Sequence, residues 1–493
     1  MGSSFHIENF GCRAARADGE AIASRLVSLG ADSSDGPRDA DVVIVNTCSV
    51  TAEADRAARA FIRRTHRLNP EARIVATGCY AQRAPEELAR LDGVAAVIGN
   101  SHKALAPEIV LGLAQGVDGR ASRTDFVSAA SLLAGSGQMN SPALVLADES
   151  FAHSFLEEAQ VVPGAQTRPN LKIQEGCANR CSFCVIPQTR GSSRSLPAAA
   201  VMRQVEGFVA AGGVELVLSG INLGRWGRDF SVADGGTLAG LVRRILEETA
   251  LPRLRLSSIE PMDWDAELIG LMAEFGGASL GRGGRATRLA RHAHLPLQSG
   301  SDAVLRRMHR RYRPWHYAEK VEALLRAAGP ELTLGADVMV GFPGETDGEF
   351  EETLALVRAL PFGYLHLFPF SPRPATRAWA LHAAAPVAAG AVAERMAELR
   401  ALAAEKTRAH RRRFVELELD ALTLHTPETV AREGRTAALT ENFLPVELEG
   451  DFEANRQVRV RVFGLNAEGA LRAAIASDGF TGDSFAFEAA VAL

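Results

Sequence analysis

Short apolar runs alternate with helical periodicity from the start of the chain. FHIENF, DVVIVN, RIVATG and VAAVIG read as strands, and between them apolar positions recur every three or four residues over 19–29, 52–68 and 84–91. This repetition predicts a parallel sheet covered by helices. It resumes from Leu171 with greater regularity. The strand-like runs there are LKIQ, VELVLS, RLRLSS, HAHLPL, LTLGADVMV and YLHLFPF, separated by helical patterns at 198–211, 238–248, 266–275, 303–328 and 349–359. Six βα-type units in succession predict a barrel or part of one. A long helix over 390–413 ends in RAHRRRF, and strand-like runs follow: VELELDALTL, TAALTENFLPVELEG, RQVRVRVFGL and ALRAAIAS. They predict a small appended β-barrel, OB-like in size, serving either as a holder of RNA or as a buttress for the helix. Between about 110 and 168 the periodicity is weak, and a linker is expected.

The 493 residues suit about three domains. With 47% hydrophobic and 23% charged residues, the composition excludes disordered and collagen-like classes. No run reaches the roughly 18 apolar residues of a membrane span. MGSSFHIENFGC lacks the basic start and apolar core of a secretory signal. A cytoplasmic location with no membrane partner is the expectation. A net charge of -5 leaves no global basic field, so any contact with nucleic acid must come from local patches. The candidates are Arg56, Arg59, Arg63, Arg64 and Arg67 at helical spacing, then RRMHRRYR and RAHRRRF. A fourth, SLGRGGRATRLARHA with Arg282, Arg285, Arg288 and Arg291, breaks the barrel pattern and is expected to be an inserted basic surface loop. Arginine pairs with phosphate and stacks on bases, although each run alone also fits a solvated face.

The six cysteines fall into two sets of three. Cys12, Cys48 and Cys79 each follow an apolar run, in NFGC, VNTC and ATGC. In an open parallel sheet, ligands gather outside the carboxyl ends of the strands, so these three are expected to converge on one rim. The alternative for each is a buried small hydrophobe. Cys177, Cys181 and Cys184 form C-x3-C-x2-C in EGCANRCSFCVIP. Disulfides are disfavoured in a cytosolic chain. Structural zinc usually takes four protein ligands, and no fourth cysteine or close histidine follows. Three thiolates on a four-iron cluster leave one iron open to a substrate or cofactor, and both sets fit that arrangement.

CANRCSFC after the first barrel strand resembles the radical S-adenosylmethionine (SAM) enzymes. Its combination with three upstream cysteines resembles the methylthiotransferases among them. LSGINLGRWG, RLSSIEP, HLPLQSGSDAVLRRMHRRY, GADVMVGFPGETDGEFEETL and LHLFPFSPRPATRA match in order. NTCSVTAEADRAARAFIRRTHRLNPEARIVATGCYAQ is similar to the branch acting on tRNA N6-threonylcarbamoyladenosine. The resemblance spans essentially the whole chain. It implies an α/β protein with an N-terminal parallel-sheet methylthiotransferase domain (1–110), a linker (111–165), a radical-SAM partial (β/α)6 barrel (166–415) and a TRAM/OB-like β-barrel (420–493). It also implies methylthiolation of C2 of that adenine, beside the anticodon. The C2–H bond is strong and non-acidic, so acid–base chemistry has no purchase on it and a cofactor radical is the plausible route. On this resemblance, Cys177, Cys181 and Cys184 hold the 4Fe-4S cluster that binds SAM, and an electron cleaves SAM to a radical. Cys12, Cys48 and Cys79 hold an auxiliary 4Fe-4S cluster that delivers sulfur, and a second SAM gives the methyl group. The implied partners are the tRNA anticodon arm, an electron donor such as flavodoxin or ferredoxin, and a sulfur source.

Polar residues at barrel strand ends are the SAM-binding candidates. Ser219, Gly220, Ser258, Glu260, Gln298, Asp337 and Gly341 are assigned from matching motifs and position, with turn or cap duty as the alternative for each. Tyr364 and His366 alternate with apolar neighbours and either face the barrel lumen or pack. No Rossmann, Walker or H-E-x-x-H spacing occurs. Ala15 stands where the family commonly has an asparagine, so the surroundings of the auxiliary cluster are expected to differ. Within the family, isopentenyladenosine tRNA and a ribosomal-protein aspartate are the other substrates. Outside it, an iron–sulfur electron carrier with an RNA-binding tail predicts fully ligated clusters, against which two sets of three argue.

Overall fold

The computed structural model describes residues 3–114, 143–153, 168–231, 236–276 and 287–476. The first layer is a parallel sheet of β1 (Ser4–Asn9), β2 (Asp32–Ser33), β3 (Val42–Thr47), β4 (Arg73–Gly78), β5 (Val94–Gly99) and β6 (Leu144–Leu146), in the order β2-β1-β3-β4-β5-β6. VVIVNT is buried along its whole length, as a central strand covered on both faces must be. Val43 and Val45 pack under Phe61 and Ile62 of the helix Ala52–Leu68. Val42 and Ile44 face the other way, toward Ile22 and Leu26 of the helix Arg13–Ser28.

The second body contains β7 (Asn170–Glu175), β8 (Arg194–Ser195), β9 (Glu215–Gly220), β10 (Arg253–Leu256), β11 (His292–His294), β12 (Thr333–Val340) and β13 (Phe362–Pro369). Only β8 runs antiparallel. The sheets β10-β9-β7-β8 and β11-β12-β13 meet at a parallel bridge between Leu254 and Leu289, giving an open barrel of six parallel strands. The helical pattern over 303–328 is two helices, Asp302–Arg307 and Pro314–Ala328. Pro314 explains the break, because proline fits the first turn of a helix and not its interior.

The helix Ala389–Arg412 packs Met396 and Leu399 into the barrel's core. It leads to β14 (Glu418–Thr423), β15 (Arg435–Thr440), β16 (Pro445–Glu449), β17 (Gln457–Leu465) and β18 (Leu471–Ile475), closed in the order β14-β15-β16-β18-β17. Alternate residues such as Val458, Val460 and Val462 fill it. The β15–β16 turn enters the amino-terminal mouth of the larger barrel. There Glu441 Oε1 accepts from Arg291 Nε at 3.1 Å, and Phe443 stacks on His292 with ring centroids 4.3 Å apart.

That contact corrects the reading of the arginine-rich segment. Arg282 and Arg285 lie outside the described residues, but Arg291 is buried against Glu441. Arg288 donates to the carbonyls of Thr249 and Leu251. A guanidinium with five donors serves as an internal tie wherever loop carbonyls and a carboxylate surround it. Of the expected linker, 111–114 end a helix and 144–146 form β6, while 115–142 and 154–167 lie outside the described residues. No helix among the described residues is long and apolar enough to cross a membrane.

Candidate active site

Cys12, Cys48 and Cys79 stand at the carboxyl ends of three adjacent strands. Cys12 caps the helix that follows β1, Cys48 comes directly after β3, and Cys79 directly after β4. β1 pairs with β3 and β3 with β4, so strand order brings together residues far apart in sequence. Glycines make the approach possible. At Gly11 (φ +117°) a Cβ would lie 2.6 Å from Cys48 Cβ and 2.8 Å from its Sγ. At Gly78 (φ +96°) it would lie 2.3 Å from the Thr47 carbonyl oxygen. Burial, then the nearby Cys79 and Cys12 sulfurs, push the Cys48 thiol up to about 12. Cys79 Sγ accepts from Arg190 Nε at 3.2 Å and from Asn100 Nδ2 at 3.5 Å. The alanine at position 15 offers its carbonyl oxygen to Asn46 Nδ2 at 2.5 Å, and Asn46 also donates to Asn9 Oδ1 at 2.9 Å. The polar support beside Cys12 thus comes from β1 and β3.

Cys177, Cys181 and Cys184 occupy one loop after β7. Gly176 (φ +70°) starts it where a Cβ would strike the Ser192 carbonyl oxygen at 2.0 Å, and Cys184 N donates to Cys181 O at 3.2 Å. Cys177 Sγ accepts from Asn179 N at 3.4 Å and lies 3.6 Å from Asn222 Nδ2. Cys181 Sγ accepts from Arg310 Nη1 at 3.4 Å. Burial raises the Cys177 thiol and pushes that of Cys184 up to about 12. Metal ligation removes that proton, so raised thiols tie loading to pH.

Among the described residues, neither set draws all three sulfurs within 4.8 Å of one another, as His294, Asp337 and His366 do their ligand atoms. One tetrahedral zinc with bonds of about 2.3 Å would hold its sulfurs about 3.8 Å apart. Six free cysteines in two sets of three, with no fourth cysteine for either, suit two clusters that each keep one open iron.

The strand-end residues divide into three kinds. Ser219 Oγ and Gln298 Oε1 are buried with no hydrogen-bond partner, and at Gly220 a Cβ would lie 2.9 Å from that of Gln174. The first two are left for a ligand, whereas Gly220 lacks a side chain because Gln174 fills the space beside it. Glu260 and Ser258 are engaged, Glu260 Oε2 with Arg310 Nη2 at 2.5 Å and Ser258 Oγ with His294 Nδ1 at 2.7 Å. Gly341 (φ +77°) shapes a turn whose N–H donates to Glu345 at 2.8 Å. Burial opposes ionisation of Asp337, yet His294 and His366 hold its carboxyl below the usual range. Tyr364 and His366 belong to the same aromatic group, with Tyr364 Oη 2.8 Å from His292 Nε2.

Arg190, Asn100, Arg310 and Asn222 escaped the sequence reading, and the signal near them was a pair of charges, Lys172 and Glu175, in the strand that precedes the tight set. RRMHRRYR is divided: Arg310 is buried, Arg307 pairs with Glu349 at 2.7 Å and Arg313 with Asp302 at 3.1 Å, while Arg306 and Arg311 are exposed. Arg56, Arg63, Arg64 and Arg67 on the helix Ala52–Leu68 are exposed.

Two family models match the chain, one described as Uncharacterized protein family UPF0004 over residues 4–99 and one as the Radical SAM superfamily over 171–357. The chain is 33% identical over 456 residues to the threonylcarbamoyladenosine tRNA methylthiotransferase MtaB of Aquifex aeolicus, covering 92% of this chain and 99% of that protein. It is 30% identical to the Thermotoga maritima protein of the same name, covering 94% and 95%. It is also 34% identical to a tRNA-2-methylthio-N(6)-dimethylallyladenosine synthase of Geobacter metallireducens, over 76% of this chain and 77% of that one. Full-length likeness, two family models and two cysteine sets at strand ends lead to one conclusion: the chain belongs to the radical SAM methylthiotransferase family, in its threonylcarbamoyladenosine branch.

Proposed function

We propose that this chain installs a methylthio group at C2 of N6-threonylcarbamoyladenosine beside the anticodon of tRNA. The observation that carries the reading is the presence of two separate three-cysteine sites on a chain alike over nine-tenths of its length to a protein named for that reaction. Cys177, Cys181 and Cys184 hold one 4Fe-4S cluster and Cys12, Cys48 and Cys79 the other, each leaving one iron without a protein ligand. The two clusters and SAM supply, when bound, a one-electron source, a radical able to take hydrogen from an unreactive C–H bond, and the sulfur and methyl groups. Ser219, Gly220 and Gln298 receive SAM at the strand ends, where the Ser219 hydroxyl and the Gln298 side-chain oxygen are buried without a partner. Glu260 acts through Arg310, holding the guanidinium against Cys181. Ser258 orients His294 beside Asp337, and Gly341 sets the turn after β12. The exposed arginines of the helix Ala52–Leu68 and the C-terminal barrel receive the anticodon arm, an electron donor such as flavodoxin or ferredoxin reduces the clusters, and a separate source renews the sulfur. All of this belongs to the cytoplasm.

The Geobacter metallireducens relative favours a second reading, isopentenyladenosine tRNA as substrate. Nucleoside analysis of bulk tRNA from a deletion strain separates the two. The first reading expects loss of the methylthio form of threonylcarbamoyladenosine alone, and loss of the isopentenyl product would replace it. A cluster-loaded sample that releases no 5′-deoxyadenosine with SAM and dithionite would leave only an electron carrier.

A further inference from the structure

Behind the wide cysteine set lies a group of charges contributed by both large domains. Asp18 and Lys103 come from the N-terminal domain, and Lys172, Glu175 and Arg190 from the barrel. Asp18 takes Lys103 Nζ at 2.9 Å and Arg190 Nη1 at 3.0 Å, and also pairs with Lys172. Glu175 takes Arg190 Nη1 at 2.8 Å, Lys172 at 2.6 Å and Lys103 at 3.1 Å. Arg190 is wholly out of water.

Its planar group presents two sides. Nη1 is spent on the two carboxylates. Nε and Nη2 share the opposite edge, which in arginine forms a two-pronged donor. One prong, Nε, rests on Cys79 Sγ at 3.2 Å, while Nη2 has no hydrogen-bond partner. A buried charged N–H left unpaired is costly, so the second prong needs an acceptor that the protein groups around it do not provide. Three thiolates outweigh the positive charge of a four-iron core, and the loaded site therefore brings both negative charge and sulfur acceptors.

The tight set lacks this feature. Arg310 also reaches a sulfur, that of Cys181, but Glu260 Oε2 sits 2.5 Å from its Nη2 and its Nε faces Tyr312 Oη at 3.1 Å.

We infer that Arg190, supplied by the barrel domain, is the positioning and charge-balancing residue of the cluster held by Cys12, Cys48 and Cys79, with one prong on the Cys79 sulfur and the other reserved for the cluster. This rests on the cluster reading above. A buried cation beside an iron–sulfur centre favours its reduced state, so Arg190 raises that centre's midpoint potential and slows its loss.

The test uses full-length protein loaded anaerobically with iron and sulfide. It compares wild type, Arg190→Gln and Arg190→Lys by EPR-monitored redox titration and by the rate of iron release to a chelator. In Arg190→Gln, one midpoint falls and about half the iron leaves roughly tenfold faster, while the other midpoint stays as the internal control. Arg190→Lys keeps the charge and the carboxylate contacts but not the two-pronged edge, so its midpoint stays near wild type and its iron release quickens. Wild-type release in Arg190→Lys overturns the proposal, and that variant decides alone if Arg190→Gln does not fold. A wild-type sample holding only about four irons per chain would instead remove the auxiliary cluster itself.

Discussion

The tight and wide cysteine sets differ in how much of the molecule each needs. Cys177, Cys181 and Cys184 are placed by one loop, opened by Gly176 at φ +70° and tied by Cys184 N to Cys181 O. Cys12, Cys48 and Cys79 need three strands in register, two glycines at positive φ and an arginine from a different domain. The first is a local motif that most of the fold leaves untouched. The second exists only when the sheet and the domain interface are both correct, and it reports on them.

Removing ligands gives the largest effect. Cys181→Ala is expected to abolish SAM cleavage and methylthiolation together. Cys48→Ala should stop methylthiolation, leave 5′-deoxyadenosine production measurable, and halve the bound iron. Equal loss of cleavage in the two variants, with the other cluster loaded in each, would end the division of labour between the sites.

Glycine substitutions come next, because each should disable only its own site. Gly11→Ala forces a Cβ to within 2.6 Å of Cys48 Cβ at a φ that L side chains rarely adopt. The local cost is about 1–3 kcal/mol. The expected result is loss of the auxiliary iron with SAM cleavage retained. Gly176→Ala, which meets the Ser192 carbonyl oxygen at 2.0 Å, should do the reverse. Iron content and cleavage assayed side by side would show whether either substitution crosses over.

The same contrast explains what the sequence disclosed. The spacing of the tight set and the strand-end position of the wide set were both legible, as was the alternation that closes β14–β18. Arg190 was not. Its partners Asp18 and Glu175 lie 172 and 15 residues away, and nothing local marks an arginine as buried. Lys172 and Glu175 gain their partners Asp18 and Lys103 only when the N-terminal domain packs against the barrel. The pairing of Arg310 and Arg307 within RRMHRRYR was hidden for the same reason: their partners Glu260 and Glu349 come from other segments. The break at Pro314 was visible and was overridden by the periodicity on either side.

Thiol reactivity probes the two sites without their clusters. Cys48 and Cys184 are each pushed up to about 12 from an ordinary value of 9.0, chiefly by burial. Only the thiolate reacts with iodoacetamide, so labelling of either should rise about tenfold per unit between about pH 7 and 9 without levelling. An ordinary thiol begins to level at the top of that range. Mass spectrometry of the cluster-free chain should also find exposed Cys12 labelled before Cys48. A plateau for Cys48 near pH 8 would mean that the wide set is open to water.

The smallest effect concerns which site faces the RNA. The helix Ala52–Leu68 starts four residues after Cys48, capped by Thr51 and tied to both domains because Asp55 meets Arg83 at 2.9 Å and Arg373 at 2.7 Å. Its exposed Arg63, Arg64 and Arg67 are therefore rigidly linked to the wide set and available to phosphate. Beside the tight set, Arg306 pairs with Asp302 at 2.9 Å and Arg307 with Glu349 at 2.7 Å. Replacing Arg63, Arg64 and Arg67 with alanine should weaken tRNA binding by a salt-dependent amount, lowering the slope of log affinity against log salt by up to about 2–3. Arg306→Ala should leave that slope unchanged. If Arg306→Ala lowers it and the triple variant does not, the anticodon arm approaches over the tight set, and the sulfur site lies on the far side of the bound RNA.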